Sequence, residues 1–176
     1  GTATSSPFTL FVKPACPVNQ TISCALHIMS GLSSWDYTVR LNVAGCTLVS
    51  TTSLIDDEGS PQANGRLDPG ETAIVYLTVQ NSGLDIAHNV QGRLRCADPR
   101  VTVTDSVGFF GSIDTASSST NIADYYSVTV SPTCPREITI PFTLALSTSG
   151  GNYPYSTESV VSLPIGTPNA VDPTNG

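Results

Sequence analysis

The chain has 176 residues, a net charge of −7 and only seven Lys and Arg, a balance that excludes a nucleic-acid binder, because such proteins present basic patches to phosphate. Charged residues make up 12% against a usual share of about 25%, while Ser and Thr supply 44 residues, 22 of each, so the polar surface is built from hydroxyls. No apolar run approaches the roughly 18 residues of a membrane span, which excludes membrane insertion.

The chain begins at Gly1 with neither Met nor an apolar leader, as expected of a processed or excised segment. Helical periodicity is nearly absent. Short alternating runs broken by Gly, Pro, Asn and Ser predict an all-β sandwich instead. The first predicted elements are three strands near 7–14, 20–29 and 36–44. Phe8, Leu10 and Val12 alternate along the first. The second turns Ile22, Cys24, Leu26 and Ile28 to one face and His27 outward. The third does the same with Trp35, Tyr37, Leu41 and Val43, allowing a local slip. Ahead of the second strand, Asn19-Gln20-Thr21 is an N-glycosylation sequon.

The stretch "DDEGSPQANGRLDPGE", residues 56 to 71, sets Asp56, Asp57, Glu58, Asp68 and Glu71 around a single Arg66. Carboxylates this close repel, so either water or a cation must neutralise them. With Glu71 counted as the twelfth position of a calcium loop of EF-hand type, Asn64 falls at position 5 and Gly65 at the sharp turn. Arg66 then offers its carbonyl, Leu67 is the apolar position, and Asp68 is the ninth. Ser60 and Gln62 fall where such loops want carboxylates or Asn. Calcium takes six to eight oxygens, so Asp56 or Asp57 is needed to complete the shell. The expected ion is structural, since nothing nearby acts as nucleophile or proton donor. A solvated acidic turn is the alternative.

Strands are predicted next in "ETAIVYLTVQNSG", where Ala73, Val75, Leu77 and Val79 share a face, and then in "NVQGRLRC", "VTVTDSVGFF", "YYSVTV", "EITIPFTLALS" and "TESVVSLPI". An internal repeat runs through them. "FTLFVKPACPVNQTISCALHIMSG" aligns with "YSVTVSPTCPREITIPFTLALSTSG" at an offset of 118 residues, matching Cys16 to Cys134, Leu26 to Leu144 and Ile28 to Leu146. At the same offset Trp35 and Tyr37 match Tyr153 and Tyr155, which puts aromatics in equivalent turns. Residues 47–166 therefore form one complete unit, residues 1–46 the second half of another, and residues 167–176 a tail or linker.

The five cysteines, Cys16, Cys24, Cys46, Cys96 and Cys134, show no CxxC pairs or His-rich metal spacing, and are expected to form disulfides in an oxidising compartment. Cys96 ends one strand and Cys134 follows another, which pairs them. Cys16 has its repeat partner in the missing half and is assigned to Cys46, leaving Cys24 as a buried free thiol.

The segment "NGRLDPGETAIVYLTVQNSGLDIAHNVQGRLRCADPRVTV" resembles the immunoglobulin-like repeats of large secreted bacterial proteins, related to the cell-adhesion-related bacterial domain. The shared pattern is an Asn-Gly-x-x-Asp-Pro-Gly-Glu loop, a strand, Asn-x-Gly, another strand, and Asp-Pro before a Val-rich strand. The resemblance implies an immunoglobulin-like antiparallel sandwich of about seven strands, used as spacer, adhesive or stalk. It also implies cation binding at Asn64, Asp68 and Glu71.

Catalysis is not expected. His88 falls in a turn, His27 on an outward strand face, and neither a Gly-x-Ser-x-Gly elbow, nor His-Glu-x-x-His, nor a phosphate loop is present. The sequence points to an extracellular or cell-surface structural protein, a subunit of a fibre or stalk. Phe8, Leu10, Val12, Trp35 and Tyr37 carry its assembly with copies of itself, head to tail, by docking or strand addition. The alternatives are a calcium-dependent carbohydrate-binding or adhesion module, in which Trp35, Tyr37, Tyr153 and Tyr155 stack on glycans, and an accessory domain of a secreted enzyme.

Overall fold

A computed structural model describes residues 6–13, 16–60, 63–151 and 153–166. The expected tail, 167–176, lies outside them, as does Gln62 of the acidic loop. The chain divides into two compact units, one ending at Ala44 and the other starting at Gly45. Among the described residues there is no helix, and so none long and apolar enough to cross a membrane.

The first unit is a hairpin of β1 (Gln20–Ser30) and β2 (Ser33–Val43), joined through Gly31 and Leu32. Gly31 has φ +61°, the left-handed backbone that a two-residue turn between twisted strands requires at its first position. The register sets Ile22 opposite Leu41, Cys24 opposite Val39, Leu26 opposite Tyr37 and Ile28 opposite Trp35, so one face is an unbroken apolar ladder. Two expectations are corrected here. Residues 6–13 form no strand, because no neighbouring strand pairs with them. Trp35 and Tyr37 sit inside β2, on the apolar face expected of the third strand and not in the turn that the constant offset implied, whereas Tyr153 and Tyr155 precede the matching strand of the second unit. The tight turn at Gly31 shortens the first hairpin, so a constant offset fails beyond it.

The second unit comprises β3 (Leu48–Asp56), β4 (Thr72–Asn81), β5 (Ala87–Cys96), β6 (Val101–Asp105), β7 (Val107–Ile113), β8 (Ser118–Thr120), β9 (Tyr126–Val130), β10 (Ile138–Ser147) and β11 (Ser156–Ile165). They form two antiparallel sheets, ordered β11-β10-β5-β7 and β3-β4-β9-β6, with β8 added beside β4. Strict alternation makes the core. Ala73, Val75, Leu77 and Val79 of β4 are buried as their spacing predicts, and Ile140, Phe142, Leu144 and Leu146 do the same in β10. One cluster takes Val75, Leu77, Tyr126 and Val128 from one sheet and Leu94, Phe110, Leu144 and Leu163 from the other, an arrangement consistent with a β-sandwich.

Two polar side chains that sequence reasoning passed over are pinned inside. Asn81 is fully buried, and its Oδ1 accepts from the N–H groups of Thr47 (3.1 Å) and Gly83 (3.0 Å). Its Nδ2 donates to the carbonyls of Asp85 (2.8 Å) and Ile113 (3.1 Å). Asn121 accepts from the Leu77 N–H at 2.8 Å and donates to the Asp124 carbonyl at 3.1 Å. Asn81 uses both donors and both acceptor positions of its amide, and Asn121 pairs its oxygen and its nitrogen once each, as burial of an amide demands.

Candidate functional site

The acidic loop runs from the end of β3 to the start of β4. Asp57, Asp68 and Glu71 are all turned inward, only 5%, 4% and 7% exposed, a burial that charged residues tolerate only when paired or hydrogen-bonded. Asp57 receives the Asn64 N–H at 2.7 Å and the Gly65 N–H at 3.0 and 3.1 Å. Burial alone would raise its pKa; the backbone donors outweigh burial and hold the carboxyl below its usual value. Gly65, at φ +73°, supplies the left-handed turn that aims both N–H groups at one carboxylate.

Asn64 Nδ2 donates to Asp68 Oδ2 at 2.7 Å. Asp68 and Glu71 then cap one another: the Asp68 N–H donates to Glu71 Oε2 at 2.8 Å and the Glu71 N–H to the Asp68 carbonyl at 3.1 Å. The loop is tied to its surroundings by the Gly70 N–H on the Val130 carbonyl (3.0 Å) and the Gly166 N–H on the Leu67 carbonyl (2.8 Å). Arg136, with Asp68, Pro69 and Glu71, lines an open concavity beside it, and Arg66 is half-buried.

The structure thus joins Asn64, Asp68 and Glu71 in one hydrogen-bonded chain, while Asp57 is tied to backbone N–H groups. Among the described residues no three His, Cys, Asp or Glu stand close enough to hold a metal ion together. One atom is unaccounted for. Glu71 Oε1 is buried with no hydrogen-bond partner, while its other oxygen caps the turn. A cation placed there would find that oxygen, and water would have to supply the remainder of a shell of six to eight.

The disulfide expectation is corrected: all five cysteines are free thiols. Cys96 points its Sγ at the Pro141 carbonyl, 3.8 Å away, and Cys134 is buried in the core after the turn at Ser131. Cys46 belongs to the core of the second unit rather than closing the hairpin, and Cys24 is half-buried rather than buried. Burial pushes the Cys46 and Cys96 thiols up, which makes them poor nucleophiles.

The assembly residues fall together in the first unit. Phe8 and Leu10 are exposed, as are Trp35 (47%) and Tyr37 (57%), and Val12 is half-buried. Leu10, Val12, Cys16, Ile22, Cys24 and Leu41 border an apolar concavity of about 480 Å³. Asn19, the sequon residue, is exposed at the foot of β1 with φ +60°. His27 Nδ1 lies 2.6 Å from Asp36 Oδ1 on the exposed outer side of the hairpin, and His88 is half-buried beside Gly151. No family model matches the chain, and no curated protein matches it.

Proposed function

We propose that the protein is an extracellular structural subunit of a fibre or surface stalk, built from immunoglobulin-like sandwich repeats and assembled with copies of itself through its first unit. One observation carries this reading: the hairpin bears a continuous apolar ladder, with Ile22, Ile28, Trp35, Tyr37 and Val39 exposed and Leu26 half-buried, that no strand of its own unit covers. A lone sheet with one apolar face needs a second layer, and some forty residues cannot enclose a core by themselves. The extracellular placement rests on the hydroxyl-rich, acidic composition and the Asn19 sequon, since the free thiols give it no support.

Deleting residues 1–44 and imaging the product by negative-stain electron microscopy tests the reading. Filaments or higher oligomers are expected of the full chain, and folded monomers of residues 45–176. Polymers that persist in the deletion would refute it. A glycan-binding role is the second reading, favoured by the neighbouring exposed rings of Trp35 and Tyr37 on one face of β2. Polysaccharide pulldown, with Trp35→Ala as control, separates the two.

A structural calcium ion at Asn64, Asp68 and Glu71, with the Arg66 carbonyl and Asp57 nearby, belongs to the same proposal, and the orphan Glu71 Oε1 is its support. Calcium at a hundredfold excess over its Kd should raise stability by about 2.7 kcal/mol, an effect that Asp68→Ala abolishes. Equal melting temperatures in calcium and in chelator would reject the ion and leave the hydrogen-bonded loop as the whole account.

A further inference from the structure

The repeat holds at the level of single backbone bonds. Asn19 and Glu137, 118 residues apart, both take φ +60° immediately before a strand. The Asn19 N–H donates to the Val43 carbonyl, and the Glu137 N–H to the Ile165 carbonyl. Cys16 bonds back to Lys13 as Cys134 does to Ser131. Past the shortened turn the correspondence resumes at 122: Ile22 faces Leu41 as Ile140 faces Leu163, and Cys24 faces Val39 as Phe142 faces Val161. The hairpin β1–β2 is therefore β10–β11 over again, and Phe8, Leu10 and Val12 stand for Tyr126, Val128 and Val130 of β9.

Burial is far lower in the first copy, where Val12, Cys24 and Leu26 are half-buried and the rest of the set more exposed still. Tyr126, Val128, Val130, Ile140, Phe142, Leu144 and Leu146 are at most 1% exposed, whereas Phe8 is 75%, Leu10 64%, Ile22 36% and Ile28 42% exposed. In the second unit the cover comes from residues 47–118. β5 pairs with the free edge of β10, setting Leu94 against Leu144 and Cys96 against Phe142, and β4 lies beside β9. Charge agrees with the geometry. Glu158 of β11 meets Arg95 of β5 at 3.9 Å, and its counterpart on the hairpin is Asp36, also an acid and 83% exposed.

We infer that the hairpin unit is the receiving half of a sandwich whose other half is a segment patterned like residues 47–118. The segment adds antiparallel to the free edge of β1 with a strand of the Gly-Arg-Leu-Arg type, its arginine reaching Asp36, and lays a second sheet over the apolar ladder. This rests on reading the first unit as the docking half, and it specifies what docks.

The test places a second copy of residues 47–118 directly ahead of Gly1 in the full chain. No linker is needed, because Gly1 then follows position 118 as Ser119 does. Amide exchange across Gln20–Ser30 is expected to slow by about a hundredfold or more, as edge amides become ladder amides. Leu26→Asp in the fusion should restore fast exchange in the hairpin and leave the second unit protected. Unchanged hairpin exchange in the fusion overturns the pairing, and filaments of the native chain would then leave the assembly reading standing. A protected hairpin in the fusion, with a native chain that stays monomeric, supports the pairing and removes the self-assembly reading. A native assembly whose hairpin is already protected supports the assembly reading, and the fusion then decides the pairing by itself.

Discussion

Asn81→Ala should lower the stability of the second unit by about 4 kcal/mol, because each buried group left without its partner costs about 1–3 kcal/mol. The side chain holds the start of β3, the turn at 83–85 and the end of β7 through four hydrogen bonds, and no water reaches the site. Truncation removes all four hydrogen bonds at once. Asn81→Asp should not rescue it, since the carboxylate keeps the acceptors, loses the donors and adds a buried charge. Urea unfolding reads the change; a loss under about 1 kcal/mol would show that these segments hold together without the amide. The neighbouring Gly83 completes the motif. A Cβ there would overlap the Gly45 carbonyl oxygen and lie 2.7 Å from the Cys46 carbonyl carbon, so only glycine lets the turn close on the chain.

Gly108→Ala is the second large effect, at about 3 kcal/mol, the upper part of the range for overpacking a core. Gly108 and Gly92 face each other across β7 and β5, and the Tyr126 ring fills the space that their missing side chains leave. A Cβ on Gly108 would stand 2.7 Å from Tyr126 Cζ and 2.8 Å from Asn121 Nδ2, well inside contact distance. Shrinking the ring should relieve much of the clash. The double variant with Tyr126→Val is therefore expected to lose at least about 1 kcal/mol less than the two single losses added together. Strict additivity would mean that the glycines are not there for the ring.

These two sites show where the sequence was legible and where it was not. The alternation in β4 and β10 is a direct consequence of one buried face, so those strands and their core residues could be read residue by residue. Asn-x-Gly was visible as a pattern, yet a buried asparagine and a turn asparagine look alike until the strands around them are placed. Gly92 and Gly108 carry no signal at all without knowing which ring lies over them.

The first unit went wrong for a different reason. Alternation places Trp35 and Tyr37 on the face of the third strand, where β2 has them, but an offset taken as constant across a turn conceals a change in turn length and equates them with the turn aromatics Tyr153 and Tyr155. Residues 7–14 have the alternation of a strand, but a strand exists only where a neighbour accepts its hydrogen bonds. Cysteine pairing failed because sequence order carries nothing about Cβ direction, which decides whether two sulfurs can bond. In the acidic loop the spacing of Asn64, Asp68 and Glu71 was legible as a local constellation. What the spacing could not show is that hydrogen bonds from Asn64 Nδ2 and from the Asp68 N–H already occupy Asp68 Oδ2 and Glu71 Oε2.

Trp35 is the chain's only tryptophan and lies on the ladder face of β2, opposite Ile28, so its fluorescence reports on that face without a label. Emission and acrylamide quenching should be followed as the protein is concentrated from monomer into assemblies, with light scattering recorded in parallel. The account predicts that scattering and a blue shift rise together and that quenching falls, as the half-exposed indole leaves water for a partner's apolar layer. Assemblies that form while Trp35 stays as quenchable as in the dilute protein would contradict it.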